Sequence, residues 1–151
     1  MKDDRLRVPV DDPYVTSLGR ATYVFATLEW NAVWCAERLS PGFIGKTGKK
    51  TAGAIAKDLV AIVDRVIDPA VKAACEAPAK RFQTLVDTRN GILHGKPGTA
   101  PDKSQRLFRN GTVWQLSDID DAADAFAECS DSLNALLYGH LSAGTTHALN
   151  P

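Results

Sequence analysis

The sequence predicts an all-α fold, a helical bundle of four to five helices with a small β-hairpin before the last helix. Three observations lead there. Apolar residues recur at steps of three and four along several stretches, the period of a helix with one buried face. Asn110-Gly111 stands between two short β-prone runs, the strongest local signal for a hairpin. The chain has 151 residues, no internal repeat and no low-complexity tract. One domain over residues 1–151 is therefore expected, with its core at about 14–141 and flexible termini.

The first helix is predicted from about Tyr14 to Leu39. Leu18, Ala21, Phe25, Leu28, Ala32, Cys35 and Leu39 make one stripe on it, and Tyr23, Trp30 and Trp34 make a second. Tyr23 and Phe25 are about 200° apart round a helix, so the two stripes are nearly opposite. A helix apolar on two sides is either central within one domain or shared with a second copy. The small number of other helices favours a homodimer. Ser40-Pro41-Gly42 ends this helix, and a second shows Ala52, Ile55, Leu59, Ile62 and Val66 before stopping at Asp68-Pro69. Pro69 and Pro78 each suit the first turn of a helix, which predicts a short helix and then a longer one from about Pro78 to Leu93. Gly95, Pro97, Gly98 and Pro101 mark a loop, and the hairpin about Asn110-Gly111 follows. Ser117 with Asp118, Asp120 and Asp121 is expected to cap the last helix, whose stripe is Ile119, Ala122, Phe126, Cys129, Leu133 and Leu137.

Composition excludes several classes. With 44% apolar and 24% charged residues, the chain can bury a core unaided by metal or disulfide, and it is neither disordered nor fibrous. Cys35, Cys75 and Cys129 are odd in number and far apart, so they read as small core residues. No cofactor or metal is expected, because no His, Cys or carboxylate pair has ligand spacing. Charges break every apolar run, which predicts no membrane span. The opening MKDDRLRVPVDDP has no signal or transit pattern, which predicts the cytoplasm. Net charge is zero, but it is unevenly spread. Residues 79–110 hold seven Lys or Arg against two Asp, whereas residues 117–132 hold six acids and no base.

Gly42-Phe43-Ile44-Gly45-Lys46-Thr47 imitates half of a phosphate-binding loop. The glycine required five residues before its Gly-Lys is replaced by Ser40, and a helix rather than a strand precedes it, so that reading fails. The informative segment is Asp87-Thr88-Arg89-Asn90-Gly91-Ile92-Leu93-His94-Gly95. Arg89 falls four residues after Leu85 and three after Val86, on or beside the apolar stripe. A guanidinium there needs an anion or a shared interface. His94 is four residues after Asn90, within reach of its amide. Of the other histidines, His140 falls on the last helix near its end and reads as structural, and His147 lies in the tail.

Arg-x4-His with Asn directly after the Arg, at a helix end in a small all-α chain, resembles the HEPN family. The resemblance covers the helical core from about Tyr14 to Leu141 and rests on Arg89, Asn90 and His94. It implies a dimeric helical bundle and a metal-independent endoribonuclease that turns the 2′-hydroxyl on its neighbouring phosphate, leaving a 2′,3′-cyclic phosphate. His94 would then be general acid or base, since imidazole titrates near neutrality. Arg89 would stabilise the phosphorane, and Asn90 would position His94. Two motifs would face one cleft across the dimer. Lys96, Arg106 and Arg109, with Lys103, would hold the RNA backbone, and Glu29 could orient Arg89 or His94. Toxin or phage-defence roles follow from the same resemblance, with a nucleotidyltransferase-like antitoxin as the partner such a toxin would need. Two other readings remain: a non-catalytic nucleotide- or RNA-binding adaptor of the same fold, and an unrelated helical domain in which Arg89 and His94 pair with buried acids.

Overall fold

The computed structural model describes residues 2–151. Four helices carry most of the chain: α1 (Asp12–Leu39), α2 (Ala52–Asp64), α3 (Pro69–Leu93) and α4 (Leu116–Tyr138). Strands β1 (Lys96–Thr99), β2 (Gln105–Arg109) and β3 (Thr112–Trp114) lie between α3 and α4 as one antiparallel sheet in the order β1-β2-β3. The architecture is thus mostly helical with a small sheet before the last helix, as the periodicity indicates. No helix among the described residues is long and apolar enough to cross a membrane.

The main stripe of α1 forms the centre of the core. Ala21, Phe25, Leu28, Ala32, Cys35 and Leu39 are all buried, and Phe25 packs edge-on against Phe126 of α4 and near Phe82 of α3. Leu18, from the same stripe, is only partly covered and lies at the border of a groove. Asp11 starts α1 by accepting from the Tyr14 amide at 3.0 Å, and the same carboxylate pairs with Arg106 of β2. Helix α1 packs against α4 and α2, and α3 packs against α2 and α4.

Four expectations are corrected. Helix α3 does not break at Pro78. It runs unbroken from Pro69, because Val71, Cys75, Ala79 and Phe82 keep one buried stripe in register through the proline. Core packing there outweighs the missing amide, a loss otherwise costing roughly 3 kcal/mol. The stretch after Gly95 is a strand rather than a loop, since Lys96 through Thr99 pair with Phe108 through Gln105. The hairpin itself forms as expected, with both turn residues at positive φ (Asn110 52°, Gly111 79°), the type I′ pattern. Helix α4 begins after Gln115 and not at Ser117; Asp118 accepts from the Gln115 amide at 2.8 Å. It ends at Tyr138, so His140 lies just outside it and exposed.

The C-terminal stretch is not a loose tail. Leu149 bridges Val66, the Asn150 amide donates to the Arg65 carbonyl, and Arg65 Nε donates to the Asn150 carbonyl at 2.7 Å. His147 contacts the Thr145 hydroxyl at 3.1 Å. All three cysteines are free and buried, and burial pushes their thiols up, Cys35 to about 12 and the other two to about 11. The Gly42–Thr47 segment makes a short 3₁₀ turn whose Gly42 and Ile44 amides donate to the Glu37 carboxylate at 3.0 and 2.9 Å. The amides that a phosphate would need are already occupied by an acid of α1.

Candidate functional site

The last turn of α3 places Arg89, Asn90 and His94 where α3, α1 and the sheet meet. Arg89 leaves α3 toward α1. Its guanidinium lies over the Phe25 ring, 5.2 Å from the centroid, and donates to Asn90 Oδ1 at 3.0 Å. That placement answers the cost of a cation on an apolar stripe, because an aromatic face supports the charge without taking its edge donors. Glu29, one turn beyond Phe25 on α1, is the nearby acid. Burial raises its carboxyl above the usual range, and the Arg89 charge lowers it by less. No ion pair within 4 Å forms between them among the described residues. Glu29 is thus the electrostatic partner of Arg89 without closing on it, which leaves the guanidinium edge available.

His94 caps α3. Its backbone amide donates to the Asn90 carbonyl at 3.0 Å, its φ of −98° has already left the helix, and the residue is exposed. The imidazole has no hydrogen-bond partner among the described residues. Asn90 therefore does not hold His94 through its side chain; its amide oxygen is used by Arg89 instead. The i, i+4 spacing made the Asn90–His94 side-chain contact available, but the Asn90 oxygen accepts from Arg89 and no hydrogen bond joins the amide to the imidazole among the described residues. Within one chain the three residues are neighbours in which Arg89 and Asn90 are joined and His94 stands apart.

The basic residues that follow divide by what they touch. Lys96 is exposed on β1 and unpaired among the described residues. Lys103 occupies the β1–β2 turn at a positive φ of 69°. Arg106 is committed: it pairs with Asp11, donates to the Gln105 carbonyl, and stacks on the Tyr14 ring at 4.5 Å, so it ties the sheet to α1. Arg109 donates to the Asn90 carbonyl at 2.6 Å, satisfying an acceptor at the end of α3. It opens on a cleft of about 530 Å³ that also holds Asp87, Asp118, Asp121 and the Trp114 ring. Three carboxylates to one guanidinium make that cleft unfavourable for a polyanion. The local positive excess along the sequence is thus spent partly on structure.

Sequence reasoning missed what lies beside Arg89. An open apolar groove of about 590 Å³ runs between α1 and the end of α3, lined by Val15, Leu18, Tyr23, Ala26, Leu93 and Leu107. Tyr23 is 77% exposed and Leu93 45%. Tyr23 was readable as part of a second stripe, whereas Leu93 reads in sequence as part of the buried stripe with Phe82, Leu85 and Val86; those three are buried, and Leu93, at the helix end, is exposed instead. Among the described residues, no three His, Cys, Asp or Glu side chains gather as a metal site would need. Compared with protein-family models, characterised proteins and solved structures, the chain has no match.

Proposed function

We propose that the chain is a HEPN-like, metal-independent endoribonuclease that acts as a homodimer. The observation that carries the proposal is Arg89, supported on Phe25 and tied to Asn90, in a small pocket that shares Thr22, Ile92 and Leu93 with the exposed apolar groove, with an unpartnered His94 at the end of the same helix. A catalytic arginine needs free edge donors for a phosphorane, and a proton-shuttling imidazole needs access. In one chain the two do not converge on a common atom. We therefore place them in a composite cleft, in which two copies meet along the groove and one copy's Arg89 faces the other's His94.

In that cleft an RNA 2′-hydroxyl loses its proton to one imidazole and attacks the adjacent phosphorus. The 5′-oxygen leaves with a proton from the other imidazole, and the product is a 2′,3′-cyclic phosphate. Arg89 neutralises the charge that builds on the non-bridging oxygens, Asn90 holds Arg89 in place, and Lys96 meets the backbone beyond the scissile bond. Arg109 stands at the rim of the acidic cleft, and Arg106 serves the fold. A toxin or defence effector, restrained by a nucleotidyltransferase-like antitoxin, belongs to the same proposal.

The test is cleavage of total RNA by purified protein in EDTA, with His94→Ala and Arg89→Ala prepared in the same way. Cleavage by the parent that leaves cyclic-phosphate ends, and loss of it by about 10²-fold or more in each variant, is the expected result. A folded dimer that binds RNA without cutting it would replace the proposal with the adaptor reading. Expression in a host should slow growth, and His94→Ala should relieve it.

A further inference from the structure

The far end of α1 carries a second constellation that the motif does not use. Trp30, Trp34 and Arg38 are spaced by four and form a ladder along one line of the helix. The two indoles meet edge to face with centroids 6.2 Å apart, and the Arg38 guanidinium lies over the Trp34 ring at 5.6 Å. From α4, Asn134, Leu137 and Tyr138 face this ladder, and Ser142 from the following turn closes a cleft of about 370 Å³. Among the described residues, Arg38 is the only charged side chain lining it.

Arg38 is not held there by an ion pair. It has no carboxylate within 4 Å and no hydrogen bond among the described residues, and its Nε is covered without a partner. The Nη nitrogens are uncovered. A covered guanidinium nitrogen without a partner is costly; Arg106 Nε shares that state, but its Nη pairs with Asp11 and the Gln105 carbonyl, whereas Arg38 has no partner on any nitrogen among the described residues. The stack on Trp34 occupies one face of the guanidinium and leaves its Nη edge free for an anion. The Asn134 amide and the Ser142 hydroxyl also lack side-chain partners among the described residues. Tyr138, 84% exposed, presents a bare aromatic ring at the mouth.

A planar aromatic surface, one free cationic edge, and two uncommitted polar side chains within about 370 Å³ suit a ligand with a flat ring and a phosphate. We propose that Trp34, Arg38 and Tyr138 form a nucleotide-binding site. The base stacks on Tyr138 and the outer face of Arg38, the phosphate takes the Nη donors, and Asn134 and Ser142 reach the sugar or the base edge. The nucleotide is either free or one unit of a single-stranded RNA. The site lies roughly 14–20 Å along α1 from Phe25, where Arg89 meets that helix, at about 1.5 Å per residue, so it stands independently of the catalytic proposal.

The test follows the indole N–H resonances of the 15N-labelled full chain, which has three tryptophans, with Trp34 assigned through Trp34→Phe. Titration with AMP should move the Trp34 signal and leave that of Trp114 in place. Adenosine and ribose 5-phosphate should each bind about tenfold or more weakly than AMP. Arg38→Gln and Tyr138→Ala should each weaken AMP by about tenfold; Tyr138 is exposed, so its replacement leaves the fold intact, and circular dichroism checks Arg38→Gln. A short oligo(A) that binds tighter than AMP identifies the RNA unit as the source, and one that binds no tighter identifies the free nucleotide. Binding unchanged in His94→Ala separates this site from the motif even if RNA cleavage is absent. The proposal is overturned by a Trp34 signal that AMP does not move at millimolar concentration, by equal binding of ribose 5-phosphate, or by a shift that follows protein concentration alone. The last outcome would mean that a second copy covers the cleft.

Discussion

At the residue scale, Glu29 and Tyr14 show how side chains near the motif serve the fold and the site together. Burial raises the Glu29 carboxyl more than Arg89 lowers it. The folded state therefore keeps a proton that the unfolded chain has already released. Its contribution to stability is present at low pH and is lost as pH rises from the ordinary glutamate range through the raised value. Urea denaturation across pH should show that decline in the parent and its absence in Glu29→Gln; parallel curves for the two would refute the assignment. Tyr14 Oη donates to the Trp114 carbonyl at 2.8 Å and accepts from the Leu107 amide at 3.1 Å. One hydroxyl thus satisfies backbone groups from two strands against α1. Tyr14→Phe leaves both without partners, and a loss of about 1–3 kcal/mol is expected from chemical denaturation.

At the element scale, α3 contains two positions where the general rule for helices and the local packing conflict. Gly91→Ala would ordinarily stabilise a helix by about 1 kcal/mol. Here an added Cβ would stand 2.8 Å from the Trp114 ring, whose Nε1 donates to the Gly91 carbonyl at 3.1 Å. A lower melting temperature is expected for the alanine variant, because the ring must give up its hydrogen bond to move. Pro78 is the opposite case. It lies inside a continuous helix and supplies no amide, so Pro78→Ala should stabilise the fold by about 1–2 kcal/mol once the freer unfolded chain is counted, and raise the melting temperature accordingly. A decrease would mean that the ring's own packing outweighs the restored hydrogen bond. The sheet follows the same logic: β2 and β3 were legible from Asn110-Gly111, whereas Lys96-Pro97-Gly98-Thr99 has turn composition and becomes a strand only because β2 offers it an edge.

At the scale of the whole molecule, the groove beside Arg89 decides between one chain and two. An exposed apolar surface with Tyr23 and Leu93 at its border is the kind of area that partners cover. For the proposed homodimer, Tyr23→Glu and Leu93→Glu should lower the mass measured by sedimentation while leaving the helical signal unchanged. RNA cleavage should fall with it, because each half-site would lose its complement. A parent that sediments as a monomer at micromolar concentration would remove the composite cleft. The cysteines make a different whole-molecule statement. Their thiols are raised by burial, so alkylation of the native protein near pH 8 should be negligible and should appear only on unfolding.

The sequence by itself determined the mostly helical class, the first two helices, the buried stripe of α1 and the hairpin turn, and it singled out Arg89, Asn90 and His94, because each of these is written in spacing along one element. Only the tertiary structure decided where those side chains point. Arg89 turns to Phe25 and Glu29 of α1, Asn90 takes Arg89 and not His94, and Arg106 is spent on Asp11 and Tyr14. The continuity of α3 through Pro78 and the pinning of the C-terminus to Arg65 and Val66 were also decided there. The physical reason is common to all of them. A side chain's partner, and the balance between a local penalty and distant packing, depend on elements far apart in the chain, and periodicity along one element carries no information about its neighbours.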